Sequence, residues 1–307
     1  MDIDSQENQV SQPHDNHAYP SPLEGEQAPT PIVHTDGPEQ GTQVDKVEEL
    51  LPETTFIRLV DDARQTNDAA DATVGPANAP IILQCEWNPK DPSILAAAGT
   101  DALARVWTVP HSTTSEGEAG RDHVFSNGLP LLDPEAPSTT TVTALAWTSD
   151  GTTLAVAVDL ESKAAIHICS ADGILLQSLA PSEPPVVKLC WNPSNTALLA
   201  ISPDKGGALV TVYYASEGNS LSYSVPGYEI LNNPLDATWT NDFEFILGGG
   251  DMLIGLSCSD ASITETRKFD TEKDDSFMQV LFDWRSKLTA TSSEKGTLDV
   301  RTYPNDP

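Results

Sequence analysis

One short pattern occurs five times in this chain of 307 residues, and it constrains the fold more than any other feature. Each copy has an apolar run that ends in or beside a tryptophan, then a polar turn, then a second apolar or small-residue run. The copies read CEWNPKDPSILAAAG, LAWTSDGTTLAVAV, LCWNPSNTALLAIS, ATWTNDFEFILGGG and LFDWRSKLTATSS. Because one such unit cannot bury its apolar face alone, the pattern predicts an array of similar units packed on their neighbours.

The spacing of the copies indicates the size of each unit. The repeat tryptophans are separated by 60, 44, 48 and 45 residues: Trp87, Trp147, Trp191, Trp239 and Trp284. Three of these separations lie near the roughly 40–45 residues of a four-stranded propeller blade. Residues 111–138, rich in Gly, Pro and acidic side chains, account for the long first separation as an insertion. The sequence therefore predicts an all-β propeller with about five four-stranded blades, near residues 81–110, 139–180, 185–225, 234–270 and 277–303.

An aspartate follows each of the first four tryptophans after 12 to 14 residues: Asp101, Asp159, Asp204 and Asp251. A carboxylate at the same turn of every unit is expected to accept hydrogen bonds from backbone N–H groups and to brace that turn. A catalytic role would not require it in four copies. Lys295 stands at the corresponding position of the fifth unit, which is therefore predicted to be less regular.

The two ends of the chain raise a question about closure. Residues 1–53 are polar, acidic and without apolar periodicity, so they are predicted to be a disordered tail that precedes a propeller over 54–307. The fifth unit supplies only three strands before the chain ends at Pro307. Either the strand-like run TTFIRLV at 54–60 completes that unit and closes a five-bladed ring, or the ring is incomplete.

Charge limits the class of partner. The chain has 46 acidic and 16 basic side chains, a net charge of −30, divided into −13 over residues 1–80 and −17 over residues 81–307. Such a field disfavours direct binding of a nucleic-acid backbone and favours basic protein segments. No apolar run is long enough to cross a membrane, and the N-terminus has no signal-peptide pattern. We therefore expect protein partners, with no direct nucleic-acid binding and no membrane association.

No constellation of catalytic residues stands out, so neither enzymatic activity nor a cofactor or metal is expected. The four cysteines lack Cys-x-x-Cys spacing and lie in apolar segments, so buried free thiols are expected. The glycines at 248–250 lack the Gly-Lys-Ser/Thr continuation of a phosphate-binding loop. Their position instead repeats the small-residue strand of the other units.

The segment GTDALARVWTV at 99–109 resembles the third-strand signature of WD-repeat β-propellers, with Thr108 at the position of the usual aspartate. CEWNP followed by GTDALARVW, MDID at the start, PDK at 203–205 and GDM at 250–252 are similar to the transducin-β-like corepressor family. The chain departs from that family in three respects. It has no Gly-His or Trp-Asp dipeptide, no visible LisH segment in residues 1–53, and five units where the family is expected to have eight.

The resemblance implies a non-catalytic scaffold of a nuclear corepressor or histone deacetylase complex. Such a scaffold would bind corepressor and deacetylase subunits or basic histone tails. Arg105 and Trp107 are the candidate partner contacts, although a structural role is favoured for both. The alternative function is a substrate adaptor of a ubiquitin ligase or a cytoplasmic assembly scaffold, which would place the protein in the cytoplasm.

Overall fold

The computed structural model describes six stretches, together with the backbone of two short strands at 57–59 and 123–125: residues 80–109, 128–160, 163–181, 183–215, 218–269 and 275–303. Contacts divide the chain into two units, residues 1–54 and 55–307, and everything described lies in the second unit. The predicted disordered tail at 1–53 lies outside the described residues.

Every regular element in these stretches is a β-strand, and the strands form five antiparallel sheets in chain order. Blade 1 comprises β2 (Ile82–Trp87), β3 (Ile94–Gly99), β4 (Ala104–Thr108) and β6 (Leu129–Pro130). Blade 2 comprises β7 (Thr141–Trp147), β8 (Thr153–Asp159), β9 (Ala164–Ser170) and β10 (Leu175–Leu179). Blade 3 comprises β11 (Lys188–Trp191), β12 (Ala197–Asp204), β13 (Gly207–Tyr214) and β14 (Ser220–Val225).

Blade 4 comprises β15 (Asp236–Trp239), β16 (Glu244–Gly249), β17 (Met252–Cys258) and β18 (Ile263–Lys268). Blade 5 has three strands within the described residues: β19 (Phe277–Asp283), β20 (Leu288–Ser293) and β21 (Leu298–Thr302). The described part of the chain contains no helix with the length and apolar character needed to cross a lipid bilayer.

The core lies between neighbouring blades. Alternate residues of a strand point to opposite faces of its sheet, so an inner blade buries both faces when it is packed between two others. The second strands β8, β12 and β16 are accordingly buried along almost their whole length. In blade 1, β3 is also buried, because Leu95 and Ala97 on its outward face cluster with Leu103, Trp107 and Val109. Separate apolar clusters join blades 1 and 2, 2 and 3, 3 and 4, and 4 and 5. Small side chains such as those of Ala96, Ala97 and Ala98 allow this close approach near the axis.

The first strand of each sheet faces a common axis. In chain order β2 contacts β7, β7 contacts β11, β11 contacts β15, and β15 contacts β19. Residues from all five of these strands line one central cavity of about 290 Å³. The five blades therefore stand around a single axis, as the repeat pattern predicts.

The junction between blade 5 and blade 1 differs from the other four. Leu83 and Trp87 on the outward face of blade 1 are exposed, and so are Leu281, Leu298 and Val300 on the outward face of blade 5. No buried apolar cluster joins these two blades among the residues described. Within the described residues this junction therefore lacks the apolar packing of the other four, and we call it the split.

Two expectations about strands differ from the structure. The run at 54–60 does not complete the last blade: its strand β1 (Ile57–Leu59) pairs in parallel with β5 (His123–Phe125) in a separate two-stranded sheet. The idea that this run closes a five-bladed ring is therefore wrong. The segment 111–138, interpreted as an insertion, also contributes structure, since β6 pairs with β4 as the outer strand of blade 1.

Candidate protein-interaction surface

The repeat tryptophans of the inner blades lock neighbouring blades together. The indole N–H of Trp147 donates to the carbonyl oxygen of Glu86, 3.3 Å away, and that of Trp239 to Cys190, 3.0 Å away. Trp191 donates in the same way to Ala146, over 3.1 Å. Each tryptophan thus reaches back to the residue that precedes the tryptophan of the previous blade. These bonds explain why the residue recurs at this position.

The tryptophans at the two ends of the array are placed differently. Trp87 faces the split and is 48% exposed. Trp284 lies one residue beyond β19 and is 38% exposed, while Phe282 pairs with Thr289. In the other four blades the tryptophan pairs with the second residue of the second strand, as Trp147 does with Leu154. Phe282 therefore holds the register position of the repeat tryptophan in blade 5, and Trp284 stands two residues further on.

Side chains that brace the turn after each tryptophan were not identified from the sequence. Asn88 Oδ1 accepts from the backbone N–H groups of Lys90 and Asp91, at 2.9 and 3.0 Å. Asn192 and Asn241 do the same in blades 3 and 4. The signal was present as Trp-Asn-Pro at 87–89 and 191–193. Because an Asn that accepts from its own turn favours that turn, these residues fix the face of the disc that carries the tryptophans.

Successive turns on this face are also bonded to each other. Asn88 Nδ2 donates to the carbonyl oxygen of Gly151, 2.7 Å away. The backbone N–H of Ser149 donates to Asn195 Oδ1, and that of Ser194 to Asp242 Oδ1, each over 2.8 Å. The bonds run through blades 1 to 4, so this face is held as one continuous rim.

The four repeat aspartates lie at the opposite end of the second strands and therefore share the other face of the disc. Asp101, in a left-handed backbone conformation with φ of 57°, accepts from the hydroxyl of Thr100 at 3.0 Å. Asp159 pairs with Ala164 at the end of β8, and its Oδ1 has no hydrogen-bond partner among the described residues. Asp204 ends β12, and Asp251 is exposed just after β16. We call this set of four aspartates the carboxylate face.

The two candidate partner contacts differ in exposure: Trp107 is buried, and Arg105 is half-buried. Trp107 is 1% exposed and packs with Leu95 and Leu103. A Cβ at Gly128 would lie 2.7 Å from its ring, so the chain passes directly over the indole. Arg105 donates through Nη1 to the carbonyl oxygen of Gly128, 2.7 Å away. Both side chains are thus engaged within blade 1.

Three charged side chains from different blades meet at the axis. Lys188 Nζ lies 2.7 Å from Asp236 Oδ1, and Asp236 Oδ2 accepts from the backbone N–H of Val280, 2.9 Å away. Burial lowers the pKa of Lys188, but the neighbouring Asp236 more than offsets this, and the net pKa is raised. Burial raises the pKa of the Glu86 carboxyl, against the opposing effects of a backbone hydrogen bond from Trp147 and the charge of Lys188. The cluster was not identified from the sequence, although each of the three first strands carries one charged residue.

The axis opens on the tryptophan face into a second depression, of about 520 Å³. We call it the tryptophan mouth, and it is lined by Trp87, Trp147, Trp191, Trp284, Glu86 and Lys188. It combines aromatic rings with a half-buried carboxylate. Aromatic ring faces and carboxylates both attract cations.

Features of metal and thiol chemistry are sparse in the described part of the chain. No group of three His, Cys, Asp or Glu side chains there could hold a metal ion. The four cysteines are free, and burial raises the pKa of the Cys169 and Cys258 thiols to about 11. Cys85 is exposed, so the expectation of a buried thiol is wrong for that residue.

Comparisons with curated proteins point to WD-repeat proteins, although no protein-family model matches the chain. The F-box-like/WD repeat-containing protein TBL1X of Mus musculus is 27% identical over 184 residues, 60% of this chain and 32% of that protein. The SIR4-interacting protein SIF2 of Saccharomyces cerevisiae is 24% identical over 185 residues, 55% of this chain and 33% of that protein. The chain spans about a third of the length of these relatives.

Solved structures agree on the fold. The C-terminal WD40 domain of Sif2 matches with a TM-score of 0.57 at 21% identity, over 74% of this chain and 59% of that chain. The β-propeller domain of Myceliophteria thermophila Cps50 (Swd1) matches with a TM-score of 0.53 at 13% identity, over 72% and 69%. The predicted all-β propeller is confirmed. The chain therefore has the fold of the WD40 β-propellers, and its sequence is similar to those of the transducin-β-like proteins.

Proposed function

We propose that this protein is a non-catalytic scaffold that binds basic segments of partner proteins within a nuclear corepressor or histone deacetylase complex. WD-repeat propellers related to it are generally scaffolds, and a rigid disc offers two faces and a rim for protein contacts. Corepressor subunits, deacetylase subunits and basic histone tails are the proposed partners. The resemblance to the transducin-β-like proteins supports the nuclear complex and the nuclear location.

The observation that carries the proposal is the sign and placement of charge. The repeat region, residues 81–307, has a net charge of −17. The carboxylate face adds one acidic side chain from each of four blades on one side of the disc. Opposite charge on a basic segment would steer its approach and exclude acidic competitors. The same negative charge would repel the phosphate backbone of a nucleic acid.

The experiment is a binding titration of the full chain with three fluorescent ligands: a basic histone-tail peptide, an acidic peptide of equal length, and duplex DNA. The basic peptide is expected to bind in the micromolar range, and its affinity should fall several-fold between about 50 and 200 mM salt as screening increases. The acidic peptide and the DNA should bind at least about 10 times more weakly. Tight binding of the DNA with none of the basic peptide would overturn the proposal.

The same titration separates the proposal from its alternative. A substrate adaptor of a ubiquitin ligase that recognises acidic degrons would prefer the acidic peptide. Fluorescence microscopy of the tagged full chain then tests location, since a scaffold of a chromatin complex should be concentrated in the nucleus. A tagged chain confined to the cytoplasm would contradict that part of the proposal.

A further inference from the structure

The tryptophan mouth differs from the rest of the axis because two of its rings, those of Trp87 and Trp284, are partly exposed. The indole N–H groups of Trp147 and Trp191 are used in the bonds between blades. Trp87 faces the split, and its indole N–H has no hydrogen bond within the described ranges, since no earlier blade packs against it there. Trp284 is likewise partly exposed. The mouth therefore presents two partly exposed aromatic rings.

Glu86 supplies the charge of the mouth. Its neighbour Lys188 is already paired with Asp236 at 2.7 Å, so Lys188 is shared with a second carboxylate. The Glu86 carboxyl accepts a backbone hydrogen bond from Trp147 but has no close ion-pair partner among the residues described. A half-buried carboxylate of this kind gains most from a cation that enters from outside.

One ring that lines the mouth, that of Trp284, already lies beside a cation of the same chain. Lys287 Nζ lies 5.8 Å from the centroid of the Trp284 ring and 5.8 Å from that of Phe282. Both distances fall within the range of cation–π attraction. The Trp284 ring of the mouth is thus in a position that attracts positive charge.

We propose that the tryptophan mouth binds one arginine side chain of a basic partner segment, with the guanidinium on Glu86 and against the exposed ring of Trp87. A guanidinium is planar, weakly hydrated and able to donate to both oxygens of a carboxylate while it stacks on an indole. An ammonium group is a strongly hydrated point charge and uses such a site less well. This inference rests on the proposed function, and it places the contact that would make binding selective on the tryptophan face, opposite the carboxylate face.

The test uses the full chain and the basic peptide described above, with two substitutions in the mouth. Glu86→Gln removes the charge and keeps the shape of the side chain, whereas Trp87→Ala removes the exposed ring. The matched controls are Glu265→Gln, an exposed acid on the outer strand β18, and Phe243→Ala, an exposed ring in the corresponding turn of blade 4. Each mouth substitution is expected to weaken binding about tenfold. Each control should stay within about twofold, because it removes only one distant charge or ring.

Peptide variants identify the side chain that enters. Replacing the relevant arginine by citrulline should weaken binding to the unmodified protein about tenfold and cause little further loss with Glu86→Gln, since the two groups are coupled. Lysine at that position should bind more weakly than arginine. Tighter binding of lysine or trimethyllysine than of arginine would overturn the assignment of the ligand.

The outcomes separate the site from the function. If the unmodified protein binds no basic peptide, the proposed function fails and the site fails with it. If it binds, and the mouth variants behave like their controls, the function stands and the mouth is not the site. Thermal unfolding checks that each variant is folded, and the isosteric Glu86→Gln keeps the test decisive if Trp87→Ala does not fold.

Discussion

The bond from Trp239 to the neighbouring blade allows a stability prediction worked from the structure. Trp239→Phe keeps a ring edge-to-face with Phe245, whose centroid lies 5.3 Å away, but loses the 3.0 Å bond to the carbonyl oxygen of Cys190. A net hydrogen bond contributes about 1 kcal/mol. The smaller ring leaves a void of a few tens of Å³ in a fully buried site, which adds about 1 kcal/mol. We therefore expect a loss of about 2 kcal/mol in the free energy of unfolding, equivalent to a drop of roughly 4–8 °C in Tm.

The matched control is Trp87→Phe, the same chemical change at the exposed tryptophan that has no blade before it. It should alter the free energy of unfolding by less than about 0.5 kcal/mol. Urea unfolding followed by far-ultraviolet circular dichroism measures both variants, because this signal does not depend on the tryptophan that is removed. The reasoning is refuted if the two variants lose equal stability, or if Trp239→Phe costs less than about 0.5 kcal/mol.

Three further predictions concern the axis and one buried glycine. Glu86→Gln should stabilise the unliganded fold near pH 7 by a few tenths of a kcal/mol, because the raised pKa of Glu86 means that folding disfavours its charged form. Below about pH 4.5, where the carboxyl is protonated in the unfolded chain too, unfolding measurements should no longer show this gain. Lys188→Met should lower the free energy of unfolding by about 1–2 kcal/mol, because it removes the ion pair with Asp236. The pKa of Lys188 is raised in the folded state, so this pair stabilises the fold fully below pH 10.5. The difference between the variant and the unmodified protein, measured by unfolding, should therefore shrink as the pH rises above that value. Gly249→Ala should cost about 1–3 kcal/mol by thermal unfolding, because its Cβ would lie 2.4 Å from the hydroxyl of Tyr228; a neutral result would mean that blades 3 and 4 adjust there.

The part of the fold that repeats was predictable, because the strands of each blade are specified by local alternation and by turns within a few residues. The order of strands and the small residues of β3, β8, β12 and β16 follow from that local pattern. The pairing register of blade 5 could not be predicted from the position of its tryptophan. The position requires a large buried ring opposite the second residue of the second strand, and Phe282 meets that requirement as well as tryptophan does.

The site depended on long-range contacts that no local pattern contains. Glu86, Lys188 and Asp236 belong to three separate blades and meet only because the first strands surround one axis. A charged residue in an otherwise apolar first strand was the available signal, and it occurs in each of these strands. The burial of Trp107 is also a long-range effect, because the chain at Gly128, well beyond its own strand, passes over the indole.

The split between blade 5 and blade 1 affects the order in which the blades should unfold. In a closed ring each blade is held from both sides, so removing any one blade breaks two interfaces. Among the described residues, each end blade of this disc has one packed blade-to-blade interface, and the bonds from Trp147, Trp191 and Trp239 point toward lower residue numbers. Unfolding should therefore begin at the ends and move inward, as in a linear array. A ligand bound between Trp87 and Trp284 would contact both end blades and should therefore raise their resistance to unfolding.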